Sequence, residues 1–325
     1  MRARKHAAPV GAAGKDGHAM RSTHVSVQID LDRVRLSAEH IRSATGVPLI
    51  AVIKSDAYGL GAVQVADALE GIADDFAYFS VAEAREVGRP GIVLGPPDEA
   101  PSTYAELRLR PAIGSLADAR RYARIPSAVN VDTGMQRFGC DPESLDDILA
   151  DASACEIFTH AVELSAAMLL RECAGGRGLP LHAASTSLLD APEAWLDAVR
   201  PGLALYRGAV RVTTRLAVVR ETRGRVGYGG LECPRVGVIM VGYSHHLRPA
   251  PVVVNGRRQR VLEVGMNTAF VSLAADDREG DEVILLGEEL DEIEVAKTLG
   301  VRPHEVLCSY AGLGPRSYLP PRCRS

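Results

Sequence analysis

Residues 51–61 read AVIKSDAYGLG. With Pro48, Leu49 and Ile50 ahead of them, an unbroken apolar run, PLIAVI over 48–53, ends on Lys54. A strand apolar on both faces is what a parallel sheet covered on both sides requires. A cation at the end of such a strand either reaches for solvent, the usual fate of an isolated lysine there, or is held for use.

Working outward, short apolar runs alternate with longer amphipathic ones from residue 48 to 206. The strand candidates after PLIAVI are FAYFSV (76–81), GIVLG (91–95), RPAIGS (110–115), AVNVDT (128–133), CEIFTH (155–160), LPLHAAS (179–185) and VRPGLALY (199–206). Helical segments lie between them. In AVQVADALEGIADD, Val65, Ala66, Leu69 and Ile72 share one face, and PESLDDILADA, VELSAAMLLREC and LDAPEAWLDAV have similar spacing. Eight strands alternating with helices in about 160 residues predict a (β/α)8 TIM-type barrel. A doubly wound open sheet is the alternative, weakened by the lack of a glycine-rich dinucleotide loop after the first strand.

The texture changes after residue 213. RLAVVRE, RVGVIMVGY, PVVVNG, QRVLEVG, AFVSL and DEVILLG are strand-like and divided by turn residues, with one helix, DEIEVAKTLG. The expected organisation is a disordered basic tail over 1–24, a barrel over 25–213 and a mostly β C-terminal domain over 214–325. The stretch VSVQIDL (25–31) is expected to pair with that last domain.

Bulk properties exclude several classes. A net charge of −4 argues against nucleic-acid binding. No apolar run approaches the ~20 residues of a membrane span, and the tail lacks the apolar stretch of a secretory leader. The six cysteines are scattered without C-x-x-C spacing, which fits reduced thiols in the cytoplasm and no zinc site. His245-His246, read as strand neighbours, would point to opposite faces and not chelate together. Asp132-Thr133-Gly134 is also the aspartic-protease tripeptide, but that chemistry needs two carboxylates sharing a proton.

In a barrel the site lies where the strands end. Lys54 ends the first strand, Asp132–Arg137 follow the fifth, His160 ends the sixth, Ser185, Thr186 and Ser187 end the seventh, and Arg200-Pro201-Gly202 lie early in the eighth. Burial disfavours a charged lysine and lowers its pKa, leaving an amine nucleophilic toward aldehydes. Beside hydroxyls and a glycine suited to phosphate, such a lysine suggests pyridoxal 5′-phosphate held as a Schiff base, or an aldolase-type lysine.

AVIKSDAYGLG, VNVDTGMQRFG (129–139), VRPGLALY, VGY (241–243) and GMN (265–267) together resemble the successive blocks of the alanine racemase family, in order, over roughly residues 25–318. The resemblance implies a barrel followed by a β domain, a cytoplasmic homodimer with shared active sites, and a small amino acid as substrate. It implies that Lys54 bonds the cofactor and is one racemisation base, with Tyr243 of the opposite subunit the other. Tyr58, Thr186 and the amides of Gly202 and Leu203 would hold the phosphate, with Ser185 beside them. Arg200 would face the pyridine nitrogen with His160 supporting it. Arg137 would bond the cofactor's phenolic oxygen and help place the substrate carboxylate, which the Met266 amide would touch across the dimer. An arginine at the ring nitrogen keeps it unprotonated and so favours reprotonation at Cα over transamination.

The chain departs from the family pattern at named places. Asn130 replaces a lysine that many members carbamylate, Ser185 an asparagine, Leu60 a histidine, and Ser244-His245-His246 an Ala-Asp-Gly. Asn267 follows Met266 in place of an aspartate. Gly312 aligns with a phosphate-directed tyrosine, leaving Tyr310 as a substitute. Three functions follow: a racemase of alanine or another small amino acid, a relative using the cofactor for another outcome, and a cofactor-binding protein without catalysis.

Overall fold

The computed structural model describes residues 21–320. Residues 1–20 of the tail expected over 1–24, and Cys323, lie outside the described residues; within 21–24, Ser22 is buried, and its hydroxyl donates to Met240 O (2.7 Å) and its N–H to Leu313 O (2.8 Å), so this end of the expected tail is held in place. Strand β1 (Ser26–Ile29) leads into a 15-residue helix, Leu31–Thr45, capped by the Asp30 carboxylate on the Arg33 N–H and ended by Gly46 at φ 68°. Seven parallel strands follow in sequence order: β2 (Ile50–Val52), β3 (Asp75–Tyr78), β4 (Gly91–Val93), β5 (Leu109–Ile113), β6 (Ser127–Asn130), β7 (Ala154–Ala161) and β8 (Leu181–Ala184).

The expected eighth strand, VRPGLALY, is not a strand over its length. Ala198 and Val199 make single parallel bridges to His182 and Leu49, and Leu203–Tyr206 is a helical turn. Pro201 has no N–H to pair and fixes φ, which stops a ladder there. Even so, this segment bonds both edges of the sheet. Arg200 N–H donates to Ala184 O (2.8 Å), while Val199 O and Pro201 O accept from Ile50 (2.9 Å) and Val52 (3.0 Å). LDAPEAWLDAV, expected as a helix, keeps only a short 3-10 turn, Pro192–Ala194, while the Val65, Ala66, Leu69 and Ile72 face is buried as the spacing predicts.

Alternation along these strands sends every second side chain inward. Ile50, Val52, Ala77, Ile92, Ala112, Ala128, Phe158 and Ala198 form a separate inner core, while their neighbours pack outward in the main one. The same register turns charged residues inward. Arg110 bonds Asp75 and Glu156, and Glu156 bonds His182 Nε2 at 3.0 Å.

Strands β9 (Val210–Glu221), β10 (Arg235–Ile239), β11 (Pro251–Val254), β12 (Arg257–Val264), β13 (Ala269–Ser272) and β14 (Glu282–Leu286) form the antiparallel part. Strand β9 is long enough to pair with β14 near its start and β10 near its end, so pairings run from β9 through β10, β13, β12, β11 and β14 back to β9. Strand β1 pairs with β9 and with β15 (Arg316–Tyr318), and so joins this sheet. Besides the expected helix, Glu292–Leu299, a second one, Pro303–Tyr310, leads back to the Lys54 turn. Among the described residues, no helix is long and apolar enough to cross a membrane.

Candidate active site

The chain leaves β2 through a left-handed turn. Ser55, Asp56, Ala57 and Tyr58 have φ of 54°, 53°, 51° and 59°, four consecutive L-residues without a glycine. Left-handed helix costs ~1–2 kcal/mol per residue, so the surroundings must impose it. Glu83 accepts from Ser55 N–H (2.9 Å) and Phe79 N–H (2.7 Å), tying the turn to the end of β3. Asp56 accepts from Ala62 N–H (2.7 Å) and pairs with Arg316, which also donates to Gly59 O (2.8 Å). The Tyr318 hydroxyl donates to Leu60 O at 3.0 Å. Thus β15 braces the lysine turn.

The turn brings Lys54 and Tyr58 back to one mouth. The Lys54 pKa is lowered, first by burial and then by the Arg137 and Arg200 guanidinium groups, with Glu83 and Cys308 opposing. His160 is pushed down to about 4 by burial, Arg200, Arg137 and Lys54 together, so it is neutral at neutral pH. Arg200 is only 4% exposed. Burial pulls its pKa down to about 10, against the pull of Glu156, and it stays charged. It lies over the Phe158 ring (4.9 Å), which stacks on His182 (5.3 Å), itself held by Glu156. One Arg200 Nη donates to Thr159 O, while its Nε is buried without a partner.

Asp132 anchors the loop that carries Arg137. Burial works to raise its carboxyl, but backbone N–H groups of Gln136, Gly134, Arg137 and Met135 outweigh that and hold it low. It therefore serves the loop and is not a proton-sharing acid. Arg137 is exposed, over the Phe138 ring at 5.1 Å.

On the opposite side, Thr186 Oγ1 accepts from Ala204 N–H (3.0 Å) and, more weakly, Gly202 N–H (3.4 Å). A Cβ on Gly202 would stand 2.2 Å from the Tyr58 hydroxyl, so only glycine lets the two meet, with Leu203 next in the chain. The Tyr58 hydroxyl is buried and pushed up to about 12, a neutral donor. Ser185 bonds Ser187 (3.1 Å) and faces Ala161 O (3.4 Å). The cradle of hydroxyls, the amine of lowered pKa and the orphaned Arg200 Nε together fit a phosphorylated aldehyde with a ring acceptor.

The remaining expected residues lie elsewhere. Tyr310 is 2% exposed in the core, with Arg248 the charge that bears on it, on the helix that packs against Gly59 of the Lys54 turn. Tyr243 and Met266 form one knob on the β part. Tyr243 N–H donates to Gly265 O (2.9 Å), and Met266 O accepts from Ser244 N–H (3.0 Å) and its hydroxyl (2.7 Å). Their side chains are 54% and 60% exposed. His245-His246 lies on this turn and not on a strand; His245 Nδ1 accepts from Gly242 N–H at 3.1 Å.

Tyr228 is not among the residues that the sequence pattern marks. It is 96% exposed at the tip of a hairpin, with its ring 3.8 Å from the Cβ position of Gly265 beside Met266. The signal was the stretch VGYGG, an aromatic set among glycines.

The profile of the alanine racemase N-terminal domain matches residues 29–210, and that of the C-terminal domain matches 209–318. The chain belongs to the alanine racemase family. The alanine racemase of Halorhodospira halophila is 31% identical over 91% of this chain and 95% of its own length. The biosynthetic alanine racemase of Pseudomonas aeruginosa superposes with a TM-score of 0.82 at 26% identity, over 92% of this chain and 100% of that one. The Bartonella henselae alanine racemase, whose structure has covalently bound pyridoxal phosphate, gives a TM-score of 0.83 at 21% identity over the same shares.

Proposed function

We propose that this chain is a pyridoxal 5′-phosphate-dependent amino-acid racemase acting on alanine, built as a homodimer with shared active sites. The observation that carries this is the convergence of Lys54, Arg137, Arg200 and His160 on one mouth, in a chain of this family. Tyr58, Thr186 and Gly202 would hold the phosphate with Leu203 and Ser185 beside them, Arg200 the ring nitrogen, and Lys54 the aldehyde carbon. The chemistry the cofactor supplies is acidification of the Cα–H bond of a joined amino acid. Arg137 orients the substrate carboxylate. The Lys54 amine, of lowered pKa, takes or returns the Cα proton on one face. Arg200, charged and fixed over Phe158, withholds a proton from the ring nitrogen.

The opposite face needs a second base. Tyr58 is a buried donor spent on the phosphate cradle, and the Tyr206 hydroxyl donates to Val52 O. We therefore take the base from the other subunit. The resemblance gives this role to Tyr243, but we assign it to Tyr228: at 96% exposed, beside Met266 (60%) and Tyr243 (54%), it is the outermost member of an exposed patch of the kind a second chain covers. The Met266 amide would accompany it to the substrate carboxylate. A rim of exposed Phe79, Met135, Phe138 and Val162 around the mouth gives that chain an apolar seat.

We also read the 198–201 segment as the eighth stave of the barrel. We divide the chain into a barrel domain, 25–213, and a β domain, 214–325, with β1 belonging by its pairing to the second. A cytoplasmic setting fits the five unpaired cysteines among the described residues. The deciding experiment is Cα deuterium exchange in D2O over a panel of L- and D-amino acids. Exchange and inversion of alanine are expected. Cofactor binding with no exchange of any amino acid would leave a binding protein instead.

A further inference from the structure

The Tyr228 hairpin is built around one carboxylate. Val226 and Leu231 exchange both backbone hydrogen bonds (2.9 and 2.7 Å), leaving Gly227-Tyr228-Gly229-Gly230 as the tip. Gly227 has φ of 73° and Gly230 of 63°. Glu263 on β12 turns its carboxylate into this tip. Its Oε1 accepts from Tyr228 N–H (2.8 Å) and its Oε2 from Gly229 N–H (2.6 Å). A Cβ on Gly227 would stand 2.6 Å from one carboxylate oxygen, and on Gly229 2.8 Å from the other. The glycines are what admit the carboxylate.

Hydrogen bonds from backbone N–H to a carboxylate are about twice as strong as neutral ones, so this grip is firm. It is also placed usefully. Glu263 lies three residues before Met266, and the register of β12 against β13 shifts next to it, between Val261 and Glu263. The tyrosine tip and the Met266 amide are therefore carried by one frame.

We propose that Glu263 is a positioning residue for the racemisation, fixing the hairpin so that the Tyr228 hydroxyl enters the other subunit's mouth at one place; this rests on the proposed role of Tyr228. Glu263 acts through the amides of residues 228 and 229 and not on the substrate. A fully exposed phenol on an unclamped glycine loop would sample many positions. Proton transfer needs heavy atoms within ~2.6–3.2 Å, and a misplacement of ~1 Å can cost ~10²-fold.

The test uses the cofactor-loaded dimer and reads deuterium exchange at Cα separately for L- and D-alanine. Glu263→Ala should lower kcat for exchange of one enantiomer by about 10–100-fold, with KM little changed. Exchange of the other enantiomer, served by Lys54, and the visible cofactor band should stay as they are. Glu263→Gln, which keeps one acceptor oxygen, should fall between; if the alanine variant does not fold, it carries the test alone. Equal losses for both enantiomers, or none, in a protein that still dimerises and binds cofactor overturn the proposal. Tyr228→Phe is run alongside. Full exchange there sinks the Tyr228 reading itself, whereas loss in Tyr228→Phe without loss in either Glu263 variant sinks only the inference about Glu263.

Discussion

The barrel mouth and the knob on the β domain hold their polar groups in opposite ways. At the mouth, Arg200 is 4% exposed and the Tyr58 hydroxyl lies against Gly202, so apart from the exposed Arg137 the polar side chains are buried or half-buried by their own chain. On the knob, the backbones of Tyr228, Tyr243 and Met266 are as firmly bonded, yet their side chains stand 96%, 54% and 60% exposed. In the proposed reading the mouth holds the cofactor, and the knob, with its rigid backbone under exposed large side chains, completes the site of a second copy.

Substitutions in the two regions should differ in the size and kind of their effects. The largest effect belongs to the mouth. Lys54→Ala should abolish both racemisation and the visible absorption of the bound cofactor, and a coloured, active variant would break the contrast at its stronger end. Next comes the knob. Tyr228→Phe should keep the colour and lose about 10²–10⁴-fold in racemisation, while Tyr243→Phe should lose less than ~10-fold, read from initial rates of D-alanine formation; the opposite ranking would return the second base to Tyr243. A smaller change is expected at the phosphate cradle. Thr186→Val removes an acceptor shared by two amides and a donor to the phosphate, and should weaken cofactor affinity by about tenfold, the effect of ~1.4 kcal/mol, measured by equilibrium dialysis.

The smallest effect is on stability against pH. His160 and His182 are both pushed down from the usual 6.5 to about 4 in the folded chain, chiefly through burial. The unfolded chain binds their protons first, so the stability they confer is present above pH 6.5 and is lost as pH falls toward 4. Glu156, held down to about 2 by His182 and Arg110 against its burial, extends the loss below 4.5. Melting temperature should fall across pH 6.5–4, and the His182→Gln slope should be shallower; parallel slopes would remove His182 from that account.

Much of the parallel sheet was legible because its signals are local. Apolar runs ending in Lys54 or His160 announce strands whose C-terminal ends share one mouth. Three features were not. VRPGLALY is apolar enough for a strand, and only Pro201 warns that its ladder stops after Val199. The left-handed turn after Lys54 contains no glycine, and it is imposed from afar by Glu83, Arg316 and Tyr318. The inner charges Asp75, Arg110, Glu156 and His182 each interrupt a strand run at an inward position, a pattern visible only once all four registers are aligned. At the knob, the family block at 241–243 carries Tyr243, whereas the proposal of Tyr228 rests on exposure, which no sequence displays.

The central claim is that mouth and knob of different copies make one site. It is tested most directly by mixing two inactive homodimers, Lys54→Ala and Tyr228→Phe, under conditions that exchange subunits. A mixed dimer then has one site with both residues intact and one with neither. Racemase activity should return on mixing, in proportion to the mixed dimers formed. Mixed dimers that form and stay inactive would contradict it.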